Sequence, residues 1–271
     1  MGAPESEFGY TKSQNQVTVT LTRPFALQQY ELTQEQWIRF GWKNPSGTLS
    51  NGTGDCVAPE CPVGQLTWFE AIAYANELSK THVPPLEVCY ELTGCSGTIG
   101  EGEGMRCDAV TITTPSVQDC AGFRLPTEAE WEFAARAGVT SAFYNGGITP
   151  QENTGDCFHE PALDSIAWYC DNAGPFTHPV GLKAPNRLGL HDMLGNAFEW
   201  VHSDYHNDGY GDVAVTDPFG VMNTNPERVF KGGGWNSSAT RCRAAAHLHG
   251  AWWGKGLGVR LARTLAADEV W

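Results

Sequence analysis

The chain has 271 residues, of which 41% are hydrophobic and 18% charged, a balance that suits one large globular domain and excludes a disordered one. Its formal net charge of −14, with no basic stripe, excludes a nucleic-acid backbone as partner. No apolar run approaches the ~20 residues that span a bilayer, so no transmembrane segment is expected.

The first periodic segment is Val17–Leu27, VTVTLTRPFAL, which alternates like a half-buried strand. Three helices then share one start signal, a threonine followed three residues later by Gln or Glu, the capping-box pattern. They begin at Thr33 (with Gln36), Thr67 (with Glu70) and Thr127 (with Glu130), and the third ends at Gly138. Arg228–Lys231 and Leu257–Leu261 are short strand candidates. Residues 85–121 and 139–185 have no period and read as long loops, which in a compact domain are functional or stapled. The whole is one mixed α+β domain over 1–263 with a tail at 264–271.

The nine cysteines supply the staples. Cys56, Cys61, Cys89, Cys95, Cys107, Cys120, Cys157 and Cys170 all lie in loop-like sequence, and no pair has the C-x-x-C spacing of a zinc ribbon. Eight such cysteines fit disulfides in an oxidising compartment, with Cys56–Cys61 and Cys157–Cys170 the expected near pairs and Cys242 left reduced. A secreted, periplasmic or cell-surface location follows; the alternative is eight reduced thiols in the cytosol.

Four blocks carry a resemblance: PFALQQYELTQEQWIRF at 24–40, PVGQLTWFEAIAYANELS at 62–79, FRLPTEAEWEFAARAG at 123–138 and GLHDMLGNAFEW at 189–200. They are followed by RVFKGGGWNSSATRCRAAAH and GLGVRLAR. This ordered set resembles the formylglycine-generating enzyme, or sulfatase-modifying factor, family. The resemblance implies an irregular α+β fold related to C-type lectins and low in regular secondary structure. Met1-Gly2 resembles the Met-Gly inside the family's opening motif, so a preceding strand is expected upstream.

Asp192 and Glu199 flank a glycine-containing turn whose carbonyls can point inward, and hard oxygen donors of this kind suit Ca²⁺. A turn with two solvated acids is the plainer reading of the spacing. The resemblance implies a calcium site made by the side chains of Asp192 and Glu199 and the carbonyls of Gly195 and Ala197. The family's second calcium site has no match.

Family members that oxidise a substrate cysteine to formylglycine carry two cysteines, five residues apart, that bind Cu(I). Here the first position is Ser237 and the second is Cys242, while a preceding family serine is Gly234. A hydroxyl is a hard donor and does not replace a thiolate for a soft ion, so copper is not expected. Cys242 with His247 and His249, two residues apart on one strand face, forms an alternative mixed site, and His202 and His206 have the spacing of one helix face.

Trp235, Asn236, Ser238, Thr240, His247, His249, Trp252 and Trp253 mix polar and aromatic groups near the family's substrate groove, a composition that suits an adaptable binding surface. Trp235 also reads as a core anchor, and Trp252-Trp253 as either. Two functions stand. One is a calcium-stabilised, secreted module that binds a peptide, sugar or small molecule; related proteins of this fold diversify the same segment to bind ligands. The other is an oxidoreductase acting through Cys242 and nearby histidines.

Overall fold

The computed structural model describes residues 1–47, 52–101, 104–153, 155–205, 211, 213–220, 227–251 and 257–269. Its regular elements are short, as expected for this α+β fold. In chain order they are β1 (Val19–Thr20), β2 (Phe25–Leu27), α1 (Gln34–Ile38), α2 (Trp68–Thr81), β3 (Tyr90–Thr93), β4 (Ala109–Ile112), β5 (Phe123–Arg124), α3 (Glu128–Arg136) and α4 (Pro161–Asp164). These are followed by β6 (Phe198–Asp204), β7 (Val215–Thr216), β8 (Glu227–Lys231), β9 (His247–Ala251), β10 (Leu257–Gly258) and β11 (Ala262–Thr264).

All three predicted helix starts are present as reciprocal capping boxes. Thr33 accepts from the Gln36 amide, Thr67 from Glu70 and Thr127 from Glu130, and each Gln or Glu side chain bonds back to the threonine amide. Such a cap contributes about 1 kcal/mol. The third helix stops where Ala137 turns left-handed at φ 47° ahead of Gly138. Inside α3, Arg124 makes a two-pronged contact with Glu130, both bonds 2.7 Å, which ties the helix start to β5.

The main sheet has the order β10-β6-β8-β9 and carries the segments of functional interest. A second sheet has the order β2-β11-β5; β3 pairs with β4, and β1 with β7. Two apolar clusters fill the interior. One gathers α2 and Trp37, Trp68 and Trp200; the other gathers α3 with Trp131, Phe143, Leu194 and Cys242.

Several expectations are corrected. The predicted strand 17–27 is two pieces in two sheets: Val19–Thr20 pairs with Val215–Thr216, and Phe25–Leu27 pairs with Ala262–Thr264. The four residues Leu21–Pro24 separate them, and Pro24 brings no N–H to a ladder. The aperiodic stretch 85–121 contains the β3–β4 hairpin, and 139–185 contains α4. His202 lies on β6, so it shares no helix face with His206, which falls outside the described residues.

The four disulfides are Cys56–Cys61, Cys89–Cys120, Cys95–Cys107 and Cys157–Cys170, and Cys242 is the free thiol. Both expected near pairs form. No helix among the described residues is long and apolar enough to cross a membrane.

Candidate functional site: a buried acidic turn beside an incomplete cysteine pair

The turn 192–197 is built from left-handed residues. Asp192, Gly195 and Asn196 have φ of 54°, 84° and 60°. Gly195 is required here, because a Cβ would fall 2.3 Å from the Trp168 carbonyl oxygen. The Gly195 amide bonds Gly232 O at 2.8 Å and the Asn196 amide bonds Trp168 O at 2.7 Å, which joins the turn to the glycine run after β8.

Three buried carboxylates lie around this turn. Glu199 accepts from Trp131 Nε1 at 2.6 Å and from Arg260 Nε at 2.9 Å. Asp192 accepts the Gly181 amide at 2.6 Å through Oδ2. Its Oδ1 is buried with no hydrogen-bond partner among the described residues. The third acid, Glu31, was not singled out in the sequence. It accepts from Ala197 N at 2.9 Å and Asn196 Nδ2 at 2.7 Å. All three are about 1% exposed. Burial, with the charges of Asp192 and Glu199, pushes the Glu31 carboxyl well above its usual range. Burial raises Asp192 as well.

Among the described residues, Arg260 is the cation whose charge acts on all three acids, and His191 adds to it at Asp192. Arg260 also donates to the carbonyls of Gln28, Gln29 and His191. Ionising all three against one guanidinium would leave an excess of negative charge in a dry site, a cost that the raised Glu31 and Asp192 carboxyls express. The unpaired Asp192 Oδ1 is a hard donor of the kind that suits Ca²⁺ and not Cu(I), while both oxygens of Glu199 are engaged by Arg260 and Trp131.

The segment that holds copper in the resembled family runs from Gly232 to Cys242. Ser237 is 1% exposed, and its Oγ accepts the Gly234 amide at 3.0 Å. Cys242 is fully buried at the end of a short 3₁₀ turn, Ala239–Cys242. A Cβ on Gly233 would lie 2.6 Å from Cys242 Sγ. The Ser237 hydroxyl and the Cys242 thiol therefore each approach one of two consecutive glycines, Gly234 and Gly233. Burial pushes the Cys242 thiol up to about 12, so it is neutral at physiological pH and a poor nucleophile.

The histidines do not join Cys242. His247 Nδ1 lies 2.8 Å from Glu128 and its Nε2 3.1 Å from Ser13 Oγ. His249 pairs with Glu227 at 3.0 Å and stacks on Tyr205 at 3.5 Å between ring centroids. His202 is buried, and burial pushes its imidazole down to about 3. Among the described residues, the one trio of His, Cys, Asp or Glu with ligand atoms within 4.8 Å is His159, Asp164 and Asp171, which includes neither Cys242 nor Glu31, Asp192 and Glu199.

Of the remaining groove candidates, Asn236 and His249 are exposed and Trp235 and His247 are half-buried. Ser238 and Thr240 are buried with their hydroxyls 2.9 Å apart, so neither faces solvent. Trp252 and Trp253 fall outside the described residues.

The sequence–structure pattern has known counterparts. A family model described as sulfatase-modifying factor enzyme 1-like domain matches residues 1–265. The chain is 33% identical over 240 residues to the chaperone protein LppX of Paenibacillus barcinonensis, covering 81% of this chain and 72% of that protein. It is 28% identical over 223 residues to the formylglycine-generating enzyme of Streptomyces coelicolor, covering 76% of this chain and 52% of the enzyme. The chain thus spans about half the length of that enzyme. Among solved structures, Treponema denticola variable protein 1 matches with a TM-score of 0.70 at 28% identity, over 98% of this chain and 94% of that one. PvdO from Pseudomonas aeruginosa matches with a TM-score of 0.70 at 24% identity, over 98% and 90%, a likeness of fold.

Proposed function

The chain belongs to the sulfatase-modifying factor family, and we propose that within it this protein is a calcium-stabilised, extracytoplasmic binding module rather than a formylglycine-generating oxidase. The observation that carries the reading is Ser237: at the position of the first copper thiolate stands a hydroxyl already bonded to the Gly234 amide. The partner thiol, Cys242, is buried and protonated. The loss falls on the redox pair while the acidic turn and its glycine scaffold are intact.

Calcium would be held by Asp192, Glu199 and the carbonyls of Gly195 and Ala197, with Glu31 shaping the site by fixing the Ala197 amide and the Asn196 side chain. Its role is charge compensation and rigidity, not chemistry. The four disulfides support an oxidising compartment. The name of LppX, a chaperone protein, supports a role in binding. The ligand surface would be the exposed Asn236 and His249 with the half-buried Trp235 and His247 beside them. Its occupant is a peptide, sugar or small molecule.

The test is binding of the biotinylated protein to peptide and glycan arrays, repeated with Asn236→Ala and His249→Ala. The reading expects parent signals that both variants weaken without a change in melting temperature. Array signals that neither variant alters would remove this rim as the ligand surface.

A further inference from the structure

A histidine and two aspartates converge at the surface where the Cys157–Cys170 disulfide holds two loop segments side by side. The bridge sets His159 against Asp171, with His159 Nδ1 2.9 Å from Asp171 Oδ2. Asp164, the last residue of α4, joins them, and one ligating atom from each of the three lies within 4.8 Å of the others. The His159 side chain is 62% exposed and that of Asp171 33%, so the space beside them opens to solvent.

Neighbouring side chains hold both carboxylates in place. The hydroxyl of the buried Tyr169 accepts the Glu160 amide at 2.8 Å and donates to Asp171 Oδ2 at 3.4 Å. Asn172 donates to Asp164 Oδ1 at 2.9 Å and to the Ala167 carbonyl at 3.0 Å. Glu160 caps α4 through the Ala162 amide at 3.2 Å and takes the Thr149 amide at 2.7 Å, which fixes the turn that carries Asp164. Support of this kind, behind the ligating atoms, is what orients the ligands of a metal.

Two carboxylates this close repel unless a cation stands between them. Lys183 is near, but its ammonium is bonded to the Asp164 main-chain carbonyl at 2.6 Å and covers the Trp168 ring. Among the described residues, the ion-pair partner of Asp171 is His159. Bonds of about 2.0–2.2 Å to one ion set neighbouring ligand atoms roughly 3–4 Å apart. The 2.9 Å pair and the 4.8 Å outer bound of the trio enclose that range. One imidazole nitrogen with two carboxylate oxygens is the donor set of a borderline divalent ion. Ca²⁺ takes about six to eight oxygens and Cu(I) prefers sulfur, so neither matches.

We propose that His159, Asp164 and Asp171 bind a divalent transition-metal ion of the Zn²⁺ type, with water in the remaining positions. Three protein ligands on an exposed face leave the ion open to a further donor. The Cys170 amide bonds the Ser237 carbonyl at 3.1 Å, which ties this cluster to the segment that carries Asn236. The cluster shares no residue with the turn of Asp192 and Glu199, so either site stands or falls alone.

The probe is Zn²⁺ alone, titrated by calorimetry into the untagged full chain in excess Ca²⁺. The proposal expects one equivalent of Zn²⁺ to bind without displacement by Ca²⁺. His159→Ala and Asp171→Asn should each weaken it about tenfold or more, with the melting temperature of the metal-free protein unchanged. Zn²⁺-soaked crystals of the parent give a readout that needs no variant, an anomalous-scattering peak between the three side chains. No binding at about 100 µM Zn²⁺, binding that neither substitution weakens, or an anomalous peak only elsewhere would overturn it.

Discussion

Arg260 closes on Glu199 in a fully buried pair, with Nε 2.9 Å from both carboxylate oxygens and Nη2 2.8 Å from one of them. Neither side chain is more than 1% exposed. Glu31 and Asp192 share the same pocket, so this single guanidinium stands against three acids. A bound cation would offset the cost of ionising Glu31 and Asp192, which is the physical basis for proposing one at the turn.

A ligand that binds only the native state stabilises it by mass action. Chelation should lower the melting temperature by roughly 5–10 °C relative to protein in calcium at about a hundred times its Kd. Added Ca²⁺ should restore it. Asp192→Asn should erase most of that difference. The measurement is thermal unfolding in EDTA and then in excess calcium, for parent and variant. Identical curves for the parent under both conditions would remove calcium from the account.

The α3 end of the molecule carries a different electrostatic feature. Burial raises the Glu128 carboxyl, but the nearby charges of His247 and Lys231 outweigh it and hold the group down at about 2. A depressed folded value contributes stability that is complete above the unfolded carboxylate range, near 4.3, and disappears as pH falls toward the folded value. Between pH ~4.5 and ~2 the parent should therefore lose on the order of a few kcal/mol from this group. Glu128→Gln should be less stable at pH 7 and should show a flatter acid limb. Urea midpoints measured across that range test this, and parallel limbs for the two proteins would contradict it.

The disulfides differ in the loops they close. Cys89–Cys120 spans 31 residues and Cys56–Cys61 spans 5. Chain-entropy reasoning gives about 4 kcal/mol for the longer and about 2 kcal/mol for the shorter. The double variant Cys89→Ser, Cys120→Ser should unfold at clearly lower denaturant than Cys56→Ser, Cys61→Ser. The reverse order would show that local packing, not loop closure, sets their value.

What was legible in the sequence was local. The caps at Thr33, Thr67 and Thr127 depend on partners three residues away, so spacing alone exposes them. The near pairs Cys56–Cys61 and Cys157–Cys170 were legible for the same reason. The nested pairing of Cys95–Cys107 inside Cys89–Cys120 requires the β3–β4 hairpin, whose strands of four residues are too short to show a period. Glu31 meets Ala197 across 166 positions of sequence, and no local pattern encodes that contact. The burial of Cys242, Ser238 and Thr240 was not legible, since it follows from how a 3₁₀ turn packs on a distant helix.

The central claim is that Ser237 removes the copper site. The most direct measurement is Cu(I) affinity of the parent and of Ser237→Cys under a competing chelator. A parallel mass-spectrometric assay looks for aldehyde in a Cys-x-Pro-x-Arg peptide incubated with oxygen. Ser237 Oγ and Cys242 Sγ approach adjacent glycines, so the variant tests whether two soft donors converge at this turn. The account predicts that the parent holds no stoichiometric Cu(I) and forms no aldehyde, while Ser237→Cys gains tight Cu(I) binding. Robust aldehyde formation by the parent, or a Ser237→Cys protein that binds copper no better than the parent, would contradict it.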